Sequence, residues 1–258
     1  MKIQKINKEH YEGAVYNIGT LPDHNYFVEG ILAHNCYMDA QSSGKHVDNV
    51  VEKLHGRFGS LTANQRPFQV ALGGNGNPNE HPDFIKILST FDELGITPNY
   101  TTNGMGLSKA ILKATKEYCG GVAVSCHPHL ETTWKIAARK LINMGISTSL
   151  HHIISDKDSV DKFLGYLTEW PDIKYHVLLP LIGQGRATGN IPVENEYLFT
   201  RLLELPEDVM KKVAFGAKFF PELTKRRKEF NVSLYEPESM SKYYDMMTGE
   251  THGSSFEA

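Results

Sequence analysis

The chain has 258 residues, 22% of them charged and 40% hydrophobic, with 27 Lys plus Arg against 30 Asp plus Glu. The resulting net charge of −3 gives no electrostatic footprint for a nucleic-acid partner. No apolar run approaches a membrane span, the start MKIQKINKEHYEGAV lacks the apolar stretch of a secretory signal, and three widely spaced cysteines make no disulfide framework, so a cytoplasmic protein is expected.

Residues 2–35 read as short strands and turns: KIQKI, AVYNIG and NYFVEGILAHN, punctuated at Gly13, Gly19, Leu21-Pro22-Asp23 and Gly30. A domain boundary is expected at Asn35/Cys36, dividing the chain into 1–35 and 36–258. From about residue 47 the pattern changes. Val47, Val50, Leu54 and Phe58 recur at helical spacing, and PFQVALGG then reads as a strand ending in glycines. Phe84, Ile87, Leu88, Phe91 and Leu94 mark a helix closed by Gly95, followed by the strand ITPNYTTNG. Ser108 is the expected N-cap of a helix carrying Ile111, Ala114 and Tyr118. The strand GGVAVSCHP follows, then a helix face of Trp134, Ala137, Leu141 and Met144 ended by Gly145. ISTSLHHIIS is the next strand. Val160, Phe163, Leu164 and Leu167 mark a helix stopped by Pro171, and KYHVLLPLIG is the last strand the pattern yields.

This alternation predicts a parallel α/β sheet with crossover helices. Five strands are expected after residue 65, too few for a barrel, with the sheet incomplete ahead of the first. Period-two alternation puts Ser125 and His127 on one strand face and Val122, Val124 and Cys126 on the other. It likewise groups Ser147, Ser149 and His151 opposite Leu150 and Ile154. Polar residues gathered on one face suit a lumen holding a polar ligand, or a satisfied polar core. In the tail, the basic TKRRKEF reads as a solvated helix face, and the stretch from Tyr235 onward gives no pattern.

ILAHNCYMD carries the first chemistry. The Asn35 carboxamide sits beside its own peptide carbonyl, and its nitrogen can attack that carbonyl, forming a succinimide and breaking the chain before Cys36. The amide nitrogen is a poor nucleophile, so the carbonyl must be polarised and the leaving amine protonated. His34 can do such proton work, Asp23 and His24 supply a second acid–base pair, and the Cys36 thiol can accept an acyl group. The longer run VYNIGTLPDHNYFVEGILAHNC closely resembles the C-terminal end of an intein. The resemblance covers residues 1–36 and implies the horseshoe-like all-β intein fold. It implies His34 and Asn35 as the cyclisation pair, Asp23 and His24 as helpers, and Cys36 as the first residue of the flanking protein. The first nucleophile and the Thr-x-x-His block of an intein's N-terminal half are not in the sequence, and residues 1–35 match in size the C-terminal piece of a naturally split intein. A strand-rich piece this small buries too little surface to fold securely alone, so completion by a partner chain is expected; a degenerate remnant is the other reading.

The second chemistry follows the splice. GGNGNP (Gly73 to Pro78), TTNG (Thr101 to Gly104), SCHPH (Ser125 to His129) and LHHIIS end consecutive predicted strands, where α/β barrels place their sites. The set resembles the radical SAM superfamily over roughly residues 36–185. That family holds a [4Fe–4S] cluster by C-x3-C-x2-C after its first strand and binds S-adenosyl-L-methionine through a Gly-Gly motif after its second. GGNGNP matches the usual GGxGEP pattern, with Asn77 where Glu is typical. The resemblance implies an incomplete parallel (β/α) barrel. It implies Gly73, Gly74, Asn75 and Gly76 as the cradle of the methionyl group, with Asn103, Ser125 and His151 as further ligand contacts. Cys36 is the only cysteine before the glycine loop, and CYMDA fits the third position of the cluster motif. Cys36 would then be splice acceptor first and iron ligand later, two roles that both use a thiolate. The first strand and the other two cysteines would come from a separate polypeptide that also carries the N-terminal intein half. The joined enzyme would generate a 5′-deoxyadenosyl radical from S-adenosylmethionine; its substrate is not legible.

Cys126 is expected to face the helices as a small buried hydrophobe, and Cys119, ending a helix, to be structural. His127 and His129 suit a metal or substrate contact, or a lumen residue and a turn residue. Two further readings stand beside the leading one: an intein remnant on a cluster-free (β/α) barrel enzyme, and a non-enzymatic binding module with an autoprocessing arm.

Overall fold

The computed structural model describes residues 16–19, 25–28, 31–34, 48–73, 77–181, 195–226, 228–230, 242–246 and 250–252. Asp23, His24, Asn35, Cys36, Gly74, Asn75 and Gly76 lie outside the described residues.

Six parallel strands form the centre of the sheet in sequence order: β4 (Gln69–Gly73), β5 (Thr97–Thr102), β6 (Gly121–Ser125), β7 (Thr148–Ile154), β8 (Tyr175–Pro180) and β9 (Val213–Phe215). The first five are the expected ones. β9 is a three-residue strand that the pattern did not yield. It lies parallel to β8 and is preceded by α6 (Asn195–Leu203) and the short α7 (Glu207–Met210).

The crossover helices are those expected. α1 (Val50–Leu54) runs on into a wider turn over His55–Gly59, burying Val50, Leu54 and Phe58. α2 (Phe84–Glu93) buries Phe84, Ile87, Leu88 and Phe91, and Gly95 ends it at φ 72°, a left-handed conformation that glycine adopts without a Cβ penalty. α3 (Lys109–Tyr118) is capped by Ser108, whose hydroxyl accepts from the Ile111 N–H at 3.3 Å. It buries Leu112, Ala114 and Thr115, and the predicted Ile111 and Tyr118 pack partly buried against the same core. The Thr115 hydroxyl meets the buried Tyr100 hydroxyl at 2.9 Å. α4 (Glu131–Asn143) buries Trp134, Ala137, Ala138 and Leu141. α5 (Lys157–Glu169) starts on a capping box in which Asp156 accepts from the Ser159 N–H and the Ser159 hydroxyl accepts from the Asp156 N–H. A last helix, α8 (Phe220–Lys225), packs Leu223 inward beside Phe199, Phe215, Phe219 and Phe230.

The basic run TKRRKEF starts at the end of α8, and its Arg226 has structural partners. Arg226 pairs with Glu196 and Glu229 and lies over the Phe199 ring. The tail also contributes β10 (Lys242–Asp245) and β11 (Thr251–His252), neither of which was predicted.

Residues 1–35 were expected to form a small all-β piece completed by strands from a partner chain. Its described strands divide between the main sheet and a hairpin. β1 (Tyr16–Gly19) joins the main sheet, parallel to β4 on one side and to β10 on the other, in the order β11-β10-β1-β4-β5-β6-β7-β8-β9. The outer edge of β4 has N–H and C=O groups that must be paired, and Ile18 and Gly19 lie in register with Leu72 and Gly73 where the first barrel strand was expected to be absent. β2 (Asn25–Val28) and β3 (Ile31–His34) form a separate antiparallel hairpin. β3 passes within 8 Å, Cα to Cα, of β5, β6 and β7.

Candidate functional site

In a parallel sheet, residues paired in register point to the same face. The register therefore sorts every strand residue. Val70, Leu72, Tyr100, Val122, Val124, Leu150 and Ile154 face the helices and join the two large apolar clusters. The other face carries Asn99 beside Gly121, then Thr101, Ala123, Ser149 and Tyr175 in one row, then Ser125, His151 and Val177 in the next. Asn99, Thr101, Ser125, Ser149 and His151 are all buried. Ser125 and His151, grouped on the polar faces of their separate strands by the sequence, are direct neighbours across β6 and β7.

This face changes along the sheet. From β5 to β7 it is polar; at β8 and β9 it becomes the small apolar patch of Val177, Leu179, Tyr175 and Ala214. The Thr101 hydroxyl is buried with no hydrogen-bond partner among the described residues. A buried hydroxyl without a partner is costly, so such an atom suits a face that receives a polar ligand. Sequence reading did not single out Thr101 or Asn99, although alternation through ITPNYTTNG puts Asn99, Thr101 and Asn103 on one face.

At the carboxyl ends of β4 and β5 the two loops are tied together. Asn77 Nδ2 donates to Asn103 Oδ1 at 2.6 Å, and the Asn103 N–H donates to Asn77 Oδ1 at 2.8 Å. Asn103 Oδ1 also accepts the Met105 N–H at 2.9 Å. Asn79, only 2% exposed, donates from Nδ2 to the Met105 carbonyl at 2.7 Å. Gly104 is fixed by packing: at φ 91° a Cβ there would come within 2.8 Å of the Ala137 Cβ and 3.0 Å of the Trp134 Cα. The TTNG loop is thus pressed onto α4 on one side and bonded to the GGNGNP loop on the other. Gly73 ends β4 at the start of that loop.

Of the residues proposed for the methionyl cradle, Gly73 is described; Gly74, Asn75 and Gly76 lie outside the described residues. Asn103 is in the right loop, but its Oδ1 already takes two donors, which leaves its Nδ2 for a ligand. His34 ends β3, paired with Asn25, so the hairpin register brings together the residue that follows His24 and the residue that precedes Asn35.

Cys126 packs against the helix-side core, and burial pushes its thiol well above the usual range. Burial also raises the Cys119 thiol. Neither suits a thiolate ligand. His127 and His129 have ring centroids 5.5 Å apart, but no group of three His, Cys, Asp or Glu side chains among the described residues could hold a metal ion. His152 points to the helix side, where it stacks on His176 and Tyr166, and its Nε2 lies 3.1 Å from His176 Nδ1. Burial drives the pKa of His152 well down, reinforced by His176, and lowers that of His176 to about 4 against a smaller opposing effect of the Trp170 backbone. These two rings are structural and neutral. No helix among the described residues is long and apolar enough to cross a membrane.

The fold is that of radical SAM enzymes. Streptococcus suis SuiB bound to the precursor peptide SuiA superposes with a TM-score of 0.66 at 11% identity over 94% of this chain and 60% of its own. SuiB bound to S-adenosylmethionine gives 0.61 at 12% identity, over 93% of this chain and 60% of its own. The enzyme anSMEcpe with bound AdoMet gives 0.58 at 14% identity, over 95% of this chain and 74% of its own. The chain thus spans about 60% of the length of SuiB. No protein-family model and no curated protein sequence matches it.

Proposed function

We propose that this chain is the larger part of a radical SAM enzyme, binding S-adenosylmethionine at the glycine loop after β4, and that residues 1–35 join it to the rest of that enzyme by protein splicing. One observation carries the first half. The loops after β4 and β5 are bonded to each other at the carboxyl ends of their strands, above a polar sheet face. The adenosylmethionine carried by SuiB and anSMEcpe supports the same ligand here.

In this reading the backbone of the GGNGNP loop holds the methionyl group, and the Asn103 Nδ2, the Thr101 and Ser125 hydroxyls and the His151 ring line the space below. Bound S-adenosylmethionine would supply, on one-electron reduction, a hydrogen-abstracting radical. The buried sheet face shields that chemistry from water. The described residues provide no ligand set for an iron–sulfur cluster. We assign that role to Cys36 together with two cysteines on a joined partner polypeptide, and derive no step through the cluster.

The second half rests on the motif of residues 15–36 and on what the arm covers. β1 occupies the edge of β4, the place of a first barrel strand, and β3 lies within 8 Å, Cα to Cα, of β5, β6 and β7, which we read as cover over the polar face. Attack by the Asn35 carboxamide nitrogen on its own carbonyl would release the Cys36 amine and free the arm, uncovering both the edge and the polar face. The partner's first strand would then pair with β4. The test is intact mass spectrometry after mixing the chain with a polypeptide that carries an intein N-terminal half and a C-x3-C strand. A ligated species containing residues 36–258, with residues 1–35 released, is the expected result. Iron, sulfide and S-adenosylmethionine analysis of the ligated product comes next. Absence of ligation with both partners folded defeats the splicing half; a ligated product without iron moves the cluster-free barrel to first place.

A further inference from the structure

Asn77 stands where the resembling family usually has Glu, and its surroundings explain what the amide does. Its Oδ1 accepts the Asn103 N–H and its Nδ2 donates to Asn103 Oδ1. The two backbone donors fix both amide orientations: the Asn103 N–H requires an oxygen at Asn77, and the Met105 N–H requires an oxygen at Asn103. Asn77 therefore works as donor and acceptor at once, while the oxygen of Asn103 works only as acceptor. A carboxylate has no donor. At position 77 it would set a negative oxygen against Asn103 Oδ1. The Asn103 amide would have to turn over to relieve that contact, and the Met105 N–H would then lose its acceptor.

We propose that Asn77 is a positioning residue whose neutral amide ties the described end of the loop after β4 to the TTNG loop, and that S-adenosylmethionine binding depends on this tie; the ligand part rests on the function proposed above. Asn79 reinforces the lock one turn on, through the Met105 carbonyl. Gly106, at φ 71°, lets the chain pass so close that an added Cβ would lie 3.0 Å from Asn79 Nδ2. Glu80 is the charged side chain nearest this turn, 3.3 Å from the same point, and it is common to every variant compared below.

The lock makes an asymmetric prediction. Asn77→Asp and Asn103→Asp are the same isosteric change, each adding one negative charge to the same pair of loops. Asp at 103 keeps every bond: it accepts from Asn77 Nδ2 and from the Met105 N–H, and its own backbone N–H still reaches Asn77 Oδ1. Asp at 77 cannot keep them all. Hydrogen exchange of the Met105 amide in the full chain at pH 8 reads the difference directly. Protection is expected to fall at least about tenfold in Asn77→Asp and to stay within about threefold of the parent in Asn103→Asp. Thermal unfolding of both variants checks that each is folded. After ligation and cluster loading, S-adenosylmethionine should bind at least about tenfold more weakly to Asn77→Asp than to the parent; Asn103→Asp removes the Nδ2 proposed as a ligand contact, so only its exchange enters the comparison. Equal effects of the two substitutions on Met105 exchange, or unchanged exchange in Asn77→Asp, overturn the lock. Lost protection in Asn77→Asp with unchanged ligand affinity overturns the positioning role alone. A ligated, cluster-loaded parent that binds no S-adenosylmethionine overturns the proposed function and the ligand part, while the exchange data still decide the lock.

Discussion

His151 and His152 are neighbours in β7 and have opposite fates. His152 faces the helices, stacked between His176 and Tyr166 with Phe163 at its edge. His151 faces the other way, beside Ser125 and among hydroxyls. The two sides of the sheet differ in the same manner throughout. The helix side is aromatic and branched aliphatic, with Trp134, Leu88, Phe91 and Leu150 fully buried. The free side between β5 and β7 is Asn, Thr, Ser and His. Apolar burial on the helix side contributes most of the stability, at about 1.5–3 kcal/mol for each large side chain fully removed from water. The polar side costs stability wherever a group lacks a partner, and that cost is the mark of a face kept for something other than folding.

Substitutions on the helix side should damage stability most. Trp134 is fully buried and touches both Tyr166 and Trp170 at ring-centroid distances of 5.2 and 5.8 Å. Trp134→Ala should cost about 3–5 kcal/mol, read as a lowered denaturation midpoint in urea at constant slope. A smaller loss that leaves the loops intact would mean α4 is a weaker support than its packing implies. Gly104→Ala tests where the two sides meet. It forces a side chain into a left-handed backbone and against α4, and should cost about 2–3 kcal/mol in the same measurement. Because the strain falls on the TTNG loop, Met105 amide exchange should quicken along with it.

The buried histidine pair gives a pH signature to the helix side alone. His176 has its pKa lowered to about 4, from an ordinary value of 6.5. Above pH 6.5 the ring is neutral in both folded and unfolded chains, and the shift has no effect. Below it the unfolded chain takes up a proton that the folded chain refuses, so stability falls as pH drops from 6.5 towards 4. At pH 5 the loss from His176 alone is about 2 kcal/mol relative to pH 7.5. His152 is shifted in the same direction and steepens the fall. Urea denaturation at the two pH values measures it. A flat profile would show that the pair is not held neutral in a dry environment.

The sequence made the helix side legible because its signals are local. The stripe of α2, the Ser108 cap and the left-handed Gly95 and Gly145 each declare themselves within a few residues. Alternation alone sends Cys126 to the helices and puts Ser125 and His151 on the polar faces of their own strands; that the two meet comes from the register. What stayed hidden depends on distant partners. β9 has three residues and no periodicity, and exists because His176 to Leu178 pair with it. β10 exists because Tyr16 to Gly19 pair with it from the other end of the chain. The Asn77–Asn103 tie joins residues in different loops, and nothing near Asn77 announces its partner. The predicted face of α3 packs on the core, but Thr115 was not foreseen beside it for the same reason: it bonds a tyrosine that lies fifteen residues back.

The smallest expected effect bears most directly on what the polar side is for. Thr101 puts a buried hydroxyl where no described residue bonds it, 5% exposed at the head of the row that runs through Ala123 and Ser149 to Tyr175. Thr101→Val replaces that hydroxyl with a methyl group of similar size. If the hydroxyl only fills space, it is a cost to folding, and its removal should stabilise the unliganded chain by about 0.5–1 kcal/mol. If it is also kept for a ligand, the same change should weaken binding of S-adenosylmethionine or of the substrate below it. Raised stability with lowered affinity is the trade expected of a face built for binding. A destabilised Thr101→Val chain would mean that the hydroxyl is bonded in solution and that this row belongs to the fold. A stabilised chain with full affinity would leave Ser125 and His151, one row nearer the tied loops, as the polar groups on which binding depends.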